Sequence, residues 1–148
     1  MIKGITHTAI RAKDMEATAR FYTDVLGMKE AFRLYFGQGN ECSGIYIYVA
    51  PNQFIEIFPD GMEKPEFNNQ IIGHNHMCYE VDDAASVIEV LRSRGAVIDS
   101  ELSRGFTKCI QFWTHDPDGN RIEFMELPKE CMQVQATERF SIAHEEAE

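Results

Sequence analysis

The two halves of this chain carry the same two landmark residues at nearly the same spacing. His76 follows His7 by 69 residues, and Glu123 follows Glu56 by 67. In each half the histidine lies in a strand-like stretch near the start, and the glutamate lies in a later one. A repeat of this length indicates two copies of one supersecondary unit, which limits the folds that the chain can adopt.

The predicted elements also occur in the same order in both halves. A helix follows each histidine strand, with Asp14 as the N-cap in the first half and Asp83 in the second. Gly27 and Gly95 stand where the ends of these helices favour a left-handed residue. Three further strands follow each helix. The prediction is therefore an α+β fold of two βαβββ modules, whose curved mixed sheet forms a half-barrel cup with the helices outside.

Clusters of Pro, Gly and Asn mark the boundaries between these elements. The predicted strands span 3–11, 28–35, 45–50 and 53–58 in the first half, and 74–81, 97–102, 107–114 and 120–126 in the second. The predicted organisation is a first module over 1–60, a linker over 61–72, a second module over 73–128 and a C-terminal extension over 129–148. Residues 129–140 of the extension are predicted to form a short helix.

Glu56 and Glu123 each stand between apolar residues of a predicted strand. A carboxylate in such a position is costly to bury unless a cation pairs with it. If the two modules pair, these glutamates converge with His7 and His76. Two imidazoles and two carboxylates suit Zn²⁺, Ni²⁺, Co²⁺, Mn²⁺ or Fe²⁺, and an octahedral ion would keep two positions open for water or substrate. His74 shares the strand face of His76, but the repeat spacing selects His76.

The charge and composition argue against several kinds of partner. A net charge of −10 disfavours nucleic acids and anionic membranes, because both need a basic surface. No apolar run approaches the roughly 20 residues of a membrane span. The N-terminal stretch lacks the profile of a signal peptide, so a cytoplasmic location is expected. The four scattered cysteines are expected to be reduced thiols.

Four motifs carry a resemblance to a known superfamily. They read HTAIR from His7, FYTDVLGM from Phe21, HMCYEVDD from His76 and DPDGNRIE from Asp116. Together they resemble the vicinal oxygen chelate superfamily, which contains glyoxalase I, fosfomycin-resistance enzymes, methylmalonyl-CoA epimerase and extradiol dioxygenases. Glyoxalase I is the most similar subfamily, because it also carries a glutamate at the position of Glu56.

This resemblance implies a metal-dependent lyase or isomerase with one divalent ion, Ni²⁺, Co²⁺, Zn²⁺ or Mn²⁺ rather than Fe²⁺. The implied metal ligands are His7, Glu56, His76 and Glu123, and the two glutamates are the implied catalytic pair. The implied substrate is a small molecule, the hemithioacetal of a 2-oxoaldehyde and a thiol or a related α-hydroxycarbonyl. A base removes a proton next to the carbonyl, and the metal stabilises the enediolate. A homodimer is expected, because half-barrels expose sheet edges that the family usually pairs.

Several side chains are predicted to contact the substrate. Arg11 either meets an anionic group of the substrate or pairs with one of the many carboxylates. The aromatic candidates for the lining of the cup are Tyr46, Tyr48, Phe54 and Trp113. Asp60 stands where glyoxalases use an Asn for glutathione, and its charge would repel an anionic thiol peptide.

Other activities of the superfamily provide the alternatives. An epimerase of the methylmalonyl-CoA type usually carries Gln at the position of Glu56. Dioxygenases and fosfomycin-type thiol transferases use three protein ligands. Drug-binding members without catalysis lack the metal ligands that this chain retains. The identity of the bound metal would separate oxygen chemistry from isomerisation.

Overall fold

The structure is a computed structural model that describes residues 2–37, 39–63, 70 and 72–145. The chain divides into two compact units, one formed by Met1–Gly73 with Asp116–Gly119 and the other by His74–His115 with Asn120–Glu148. Each unit holds a four-stranded mixed sheet. None of the helices in the described ranges has the length and apolar character of a membrane span.

The first unit follows the predicted βαβββ order. Its elements are β1 (His7–Arg11), α1 (Met15–Arg20), β2 (Lys29–Leu34), β3 (Gly44–Ala50) and β4 (Gln53–Phe58). Helix α1 continues as one π-helical turn over Phe21–Val25. The strand order in the sheet is β1-β4-β3-β2, with β1 parallel to β4 and the other pairs antiparallel.

The second unit repeats this arrangement. Its elements are β5 (Met77–Glu80), α2 (Ala84–Ser93), β6 (Ile98–Arg104), β7 (Ile110–His115), β8 (Arg121–Glu126) and α3 (Met132–Glu145). The strand order is β5-β8-β7-β6, with β5 parallel to β8. The α+β class and the repeated βαβββ order are thus confirmed, and the strands form two four-stranded sheets, one in each unit.

The strand register shows the repeat residue by residue. Ala9 of β1 lies opposite Glu56 of β4, and Cys78 of β5 lies opposite Glu123 of β8. The two pairs are related by the same offsets of 69 and 67 residues that relate the landmark histidines and glutamates. The backbone pairing therefore gives both units one common geometry at these strands.

Helices α1 and α2 begin with the predicted aspartate caps. The Asp14 carboxylate accepts a hydrogen bond from the backbone N–H of Ala17 at 2.9 Å, and Asp83 accepts one from Ser86 at 3.0 Å. These bonds satisfy an N–H group that would otherwise lack a partner in the first helical turn. The helix starts are therefore local consequences of the sequence.

Some element boundaries differ from the prediction. Strand β1 begins at His7 and β5 at Met77, later than the predicted starts at 3 and 74. His76 consequently precedes its strand by one residue. Helix α3 starts at Met132 and extends past the predicted end at 140. Of the predicted linker over 61–72, residues 64–69 and 71 lie outside the described residues, and the module boundaries remain predictions.

The turn Asp116–Gly119 belongs to the first unit. Asp116 is fully buried and accepts hydrogen bonds from the Tyr22 hydroxyl at 3.2 Å and from the backbone N–H of Asp118 at 3.0 Å. Asp118 in turn accepts from the Thr18 hydroxyl at 2.8 Å and from the backbone N–H of Lys13 at 3.0 Å. The sequence predicted the turn, but not that its carboxylates anchor it to α1 and to the loop before that helix.

Gly61 packs against the backbone after β1, and we expect Gly61→Ala to destabilise the first unit. The Gly61 N–H donates to the carbonyl oxygen of Ala12 at 2.9 Å, and a Cβ on Gly61 would lie 2.8 Å from the Ala12 carbonyl carbon. Because rigid backbone must move, we expect a loss of about 1–3 kcal/mol in the free energy of unfolding, measured in urea. Gly4→Ala is the control, since its Cβ would meet nothing within 4 Å. Equal losses in the two variants would contradict this account.

Candidate metal centre

The first half-site consists of His7 on β1 and Glu56 on β4. Because β1 and β4 are parallel and Ala9 lies opposite Glu56, strand alternation directs His7, two residues earlier, to the same face. His7 Nε2 lies 3.5 Å from Glu56 Oε2. The His7 side chain is 44% exposed and that of Glu56 is 11% exposed. A buried carboxylate thus stands beside an imidazole that solvent can reach.

The second half-site consists of His76 and Glu123, the equivalent residues of the repeat. His76 Nε2 lies 3.2 Å from Glu123 Oε2, and the exposed fractions of these side chains are 33% and 5%. Glu123 lies in β8, next to the parallel strand β5 that His76 precedes. Each unit therefore brings together the histidine and the glutamate that the sequence predicts as ligands.

An aromatic ring adjoins each pair from the neighbouring strand. Tyr46 lies opposite Glu56 in the sheet register, and Trp113 lies opposite Glu123. The His7 and Tyr46 ring centroids are 6.0 Å apart, and those of His76 and Trp113 are 4.8 Å apart, both in edge-to-face geometry. Partial burial raises the pKa of Tyr46, and its hydrogen bond to Glu56 and that carboxylate's charge raise it further.

The two His–Glu pairs fit metal binding by their donor atoms and by their spacing. Bonds of about 2.0–2.2 Å from a metal to nitrogen or oxygen place neighbouring ligand atoms about 3.0–3.4 Å apart. The observed separations of 3.5 and 3.2 Å lie close to that range. In the part of the chain that the structure describes, no group of three or more His, Cys, Asp or Glu side chains stands together to hold an ion. Each unit thus offers a pair of donors, one nitrogen and one oxygen.

The aromatic candidates of the first unit form one cluster with a member that sequence reasoning missed. Phe32 of β2 stacks on Tyr46 with ring centroids 4.4 Å apart, and Phe54 lies 6.0 Å from Tyr46. Tyr48 lies 5.8 Å from Phe54 in edge-to-face geometry. Phe32 and Tyr48 remain 46% and 39% exposed. The alternation of apolar residues in β2 and β3 is the signal that would have included Phe32.

Arg11 and Trp113 have protein partners in the structure. The Arg11 guanidinium donates a hydrogen bond to the carbonyl oxygen of Pro59 at 3.0 Å and lies 5.6 Å from the Phe58 ring centroid. The Trp113 ring is covered by the Arg121 guanidinium at 4.3 Å from its centroid. A role of either residue in substrate binding remains a prediction.

Cys78 lies beside the second half-site, opposite Glu123 in the sheet register. Burial around the thiol raises the pKa of Cys78 to about 12, with a further contribution from the Glu123 carboxylate, although the residue as a whole is exposed. The thiol therefore stays protonated at neutral pH. All four cysteines are free, which agrees with the predicted reduced thiols.

Comparisons with known proteins agree with the fold. The family described as "Glyoxalase/Bleomycin resistance protein/Dioxygenase superfamily" matches residues 4–124. The lactoylglutathione lyase of Escherichia coli O157:H7 is 31% identical, over 82% of this chain and 91% of that enzyme. The lactoylglutathione lyase of Schizosaccharomyces pombe is 30% identical over 82% of this chain, which spans only 46% of that enzyme. A solved glyoxalase family protein from Enterococcus faecalis has a TM-score of 0.71 at 27% identity, covering 84% of this chain and 98% of that one.

Proposed function

Because the chain belongs to the Glyoxalase/Bleomycin resistance protein/Dioxygenase superfamily, we propose that it is a metal-dependent lyase of the glyoxalase I type. Its substrate would be the hemithioacetal that forms from a 2-oxoaldehyde and a thiol. The observation that carries the proposal is the repeated His–Glu pair, in which both carboxylates are buried. Two such carboxylates beside imidazoles are costly unless they serve a cation or a proton transfer.

The proposed ligands of one divalent ion are His7, Glu56, His76 and Glu123. Their two nitrogen and two oxygen donors suit Ni²⁺, Co²⁺, Zn²⁺ or Mn²⁺. When bound, such an ion would supply a Lewis acid that polarises the neighbouring oxygens of the substrate. The half-exposed histidines leave each pair accessible from solvent, which a small-molecule substrate requires.

The proposed proton carriers are the carboxylates of Glu56 and Glu123. One carboxylate takes the proton from the hemithioacetal carbon, and the adjacent carbon receives a proton in return. The product is the thioester of a 2-hydroxy acid, so the reaction is an isomerisation that needs no oxidant and no second substrate. Burial keeps both carboxylates away from bulk water, which limits exchange of the proton during its transfer.

The aromatic cluster supports an apolar subsite next to the first half-site. Tyr46 contacts the His7 ring and the Glu56 carboxylate, which is one of the two proposed proton carriers. Phe54 and Tyr48 continue this surface along β4 and β3. We propose that these rings face the carbon chain of the oxoaldehyde, while Arg11 meets an anionic group of the thiol.

Metal analysis followed by an activity screen tests the proposal. The purified chain, stripped of metal by a chelator, is assayed with methylglyoxal or phenylglyoxal and several thiols after addition of Ni²⁺, Co²⁺, Zn²⁺, Mn²⁺ or Fe²⁺. Formation of the 2-hydroxythioester with one of the first four ions supports a lyase. Oxygen consumption that requires Fe²⁺ would instead indicate a dioxygenase, and absence of metal binding would overturn the metal site.

The same preparation tests the proposed homodimer. In the first sheet, β1 and β2 occupy the two edges of the strand order, and β5 and β6 do so in the second. Sheet edges favour pairing with another copy of the chain. Light scattering should therefore give twice the 17.0 kDa of one chain. A mass equal to one chain would contradict the homodimer.

Asp60 provides a test of the thiol carrier. It has a positive φ of 61°, which both Asp and Asn tolerate, so Asp60→Asn removes a charge without backbone strain. If that charge repels glutathione, kcat/KM for the glutathione hemithioacetal should rise by about threefold to tenfold, and the gain should shrink at high salt. Hemithioacetals of uncharged thiols should show no such gain. Asp82→Asn, at another exposed aspartate, is the control, and an unchanged kcat/KM in Asp60→Asn would contradict the repulsion.

A further inference from the structure

His76 differs from His7 in the group that contacts its second ring nitrogen. His76 Nδ1 lies 2.9 Å from Asn75 Oδ1. An amide oxygen only accepts hydrogen bonds, so this contact is a hydrogen bond when His76 carries a proton on Nδ1. The Glu123 carboxylate, 3.2 Å from Nε2, is also an acceptor and competes for the proton of the neutral ring. The Asn75 contact favours the form in which Nε2 keeps its lone pair and can bind an ion.

Arg121 determines which end of the Asn75 amide meets the histidine. The Arg121 guanidinium lies 3.3 Å from the same Asn75 oxygen. A guanidinium only donates hydrogen bonds, so the atom that faces it must be the amide oxygen and not the amide nitrogen. One oxygen thus accepts from both Arg121 and His76, which excludes the flipped amide.

Arg121 is itself held by Trp113, and the contacts close into a ring. The guanidinium lies 4.3 Å from the centroid of the Trp113 ring, and that ring contacts the edge of His76 with centroids 4.8 Å apart. Four side chains therefore contact one another in sequence: His76, Asn75, Arg121 and Trp113. This arrangement restricts the orientation of the imidazole and favours its proton on Nδ1.

The first half-site lacks this arrangement at the equivalent positions. By the offsets of the repeat, Thr6 corresponds to Asn75, and Phe54 corresponds to Arg121. The Thr6 hydroxyl lies 3.3 Å from His7 Nδ1. A hydroxyl can donate or accept, so it does not select one form of the neutral ring. Of the two paired histidines, only His76 has its Nδ1 facing an obligate acceptor.

We propose that Asn75, oriented by Arg121, is a positioning residue that favours the form of His76 with its proton on Nδ1, the form whose Nε2 can bind a metal. The proposal rests on the proposed function in one respect, the use of His76 as a ligand. Its physical basis is that an imidazole already in the metal-binding tautomer loses no binding free energy in converting from the other tautomer. The second half-site is accordingly the preorganised one.

Imidazole nitrogen NMR of the metal-free protein tests this directly. Long-range ¹H–¹⁵N correlation spectra of the labelled full chain distinguish the protonated from the unprotonated ring nitrogen, and His76 is assigned among the five histidines by substitution. At a pH where the rings are neutral, wild-type His76 should show the proton on Nδ1. In Asn75→Ala the proton should shift toward Nε2, beside the Glu123 carboxylate. Asn75→Asp, which keeps an acceptor oxygen, should restore the wild-type pattern.

Zinc titration provides a second measurement on the same variants. Asn75→Ala should weaken Zn²⁺ binding by about 10-fold to 100-fold, the range for loss of a group that orients a histidine ligand. Thr6→Val is the matched control from the first half-site, and its Zn²⁺ affinity should stay within about threefold of the wild type because no tautomer is selected there.

The outcomes separate this proposal from the proposed function. If His76 keeps the Nδ1 proton in Asn75→Ala, or if Thr6→Val weakens Zn²⁺ binding as much as Asn75→Ala, the positioning role is overturned. If the wild type shows the predicted tautomer and Asn75→Ala loses it, the positioning role stands. Failure of the wild type to bind any divalent ion overturns the metal-dependent function, and the NMR result then still reports whether Asn75 sets the tautomer.

Discussion

Glu56→Gln is expected to leave the chain folded and to lower kcat for the hemithioacetal by about 100-fold or more, the usual scale for loss of a general base. A glutamine side chain has nearly the same shape as a glutamate, but it cannot accept the substrate proton. The change also removes one of the two negative charges offered to the ion. Glu123→Gln, at the equivalent position of the repeat, should have an effect of the same order.

The measurement combines steady-state kinetics with metal content and circular dichroism. Glu80→Gln is the control, because Glu80 is an exposed carboxylate on strand β5. Its loss should leave kcat unchanged. Full activity of Glu56→Gln with the metal still bound would contradict the proposed role. A loss of activity that accompanies unfolding would also fail to support it, since the prediction requires a folded variant.

Unfolding of the metal-free proteins distinguishes a functional carboxylate from a structural one. Glu56 is buried, and its facing histidine is 44% exposed. An ion pair with one exposed partner contributes little stability, about 1 kcal/mol or less. We therefore expect metal-free Glu56→Gln to unfold at the same urea concentration as the wild type, or at a higher one. That result would indicate that the Glu56 carboxylate serves the metal site and does not stabilise the fold.

Asp116→Ala is expected to have the largest effect on stability, a loss of about 3 kcal/mol in the free energy of unfolding. Asp116 and Tyr22 are both fully buried, and the Tyr22 hydroxyl donates to the Asp116 carboxylate at 3.2 Å. The substitution leaves that hydroxyl without this acceptor and opens a cavity. It also removes the bond from the Asp118 backbone N–H that shapes the turn.

Urea unfolding of Asp116→Ala is compared with that of Asp99→Ala. Asp99 pairs with His115 at 2.9 Å, and both side chains are more than one-third exposed. An exposed pair of this kind contributes about 1 kcal/mol or less, so Asp99→Ala should change the midpoint only slightly. Similar losses of unfolding free energy in Asp116→Ala and Asp99→Ala would show that the buried contacts of Asp116 contribute no more stability than an exposed pair.

The repeat shows why so much of the fold follows from local sequence. Asp14 and Asp83 begin their helices through bonds to backbone N–H groups three residues away. Strand alternation places His7 and Glu56 on one face of a sheet, and the repeat offset puts His76 and Glu123 at the equivalent positions. These effects depend on neighbouring residues and on strand periodicity, so the sequence predicted them without knowledge of the tertiary structure.

Two features of the site depend on contacts between residues far apart in the chain. The Asn75 oxygen is oriented by Arg121, 46 residues later. Phe32 joins the aromatic cluster because β2 pairs with β3 in one particular register. No local pattern determines which side chains meet across strands, because the register is set by packing of the whole sheet.

The sequence by itself determined the α+β class, the βαβββ repeat and the two candidate His–Glu pairs, because these follow from periodicity, capping and the offset between the halves. Only the tertiary structure decided that Asp116 is buried against Tyr22 and that His76 faces an obligate acceptor. The physical reason is that burial and hydrogen-bond partners arise when distant segments pack together, where one rotated side chain changes which atom donates and which accepts.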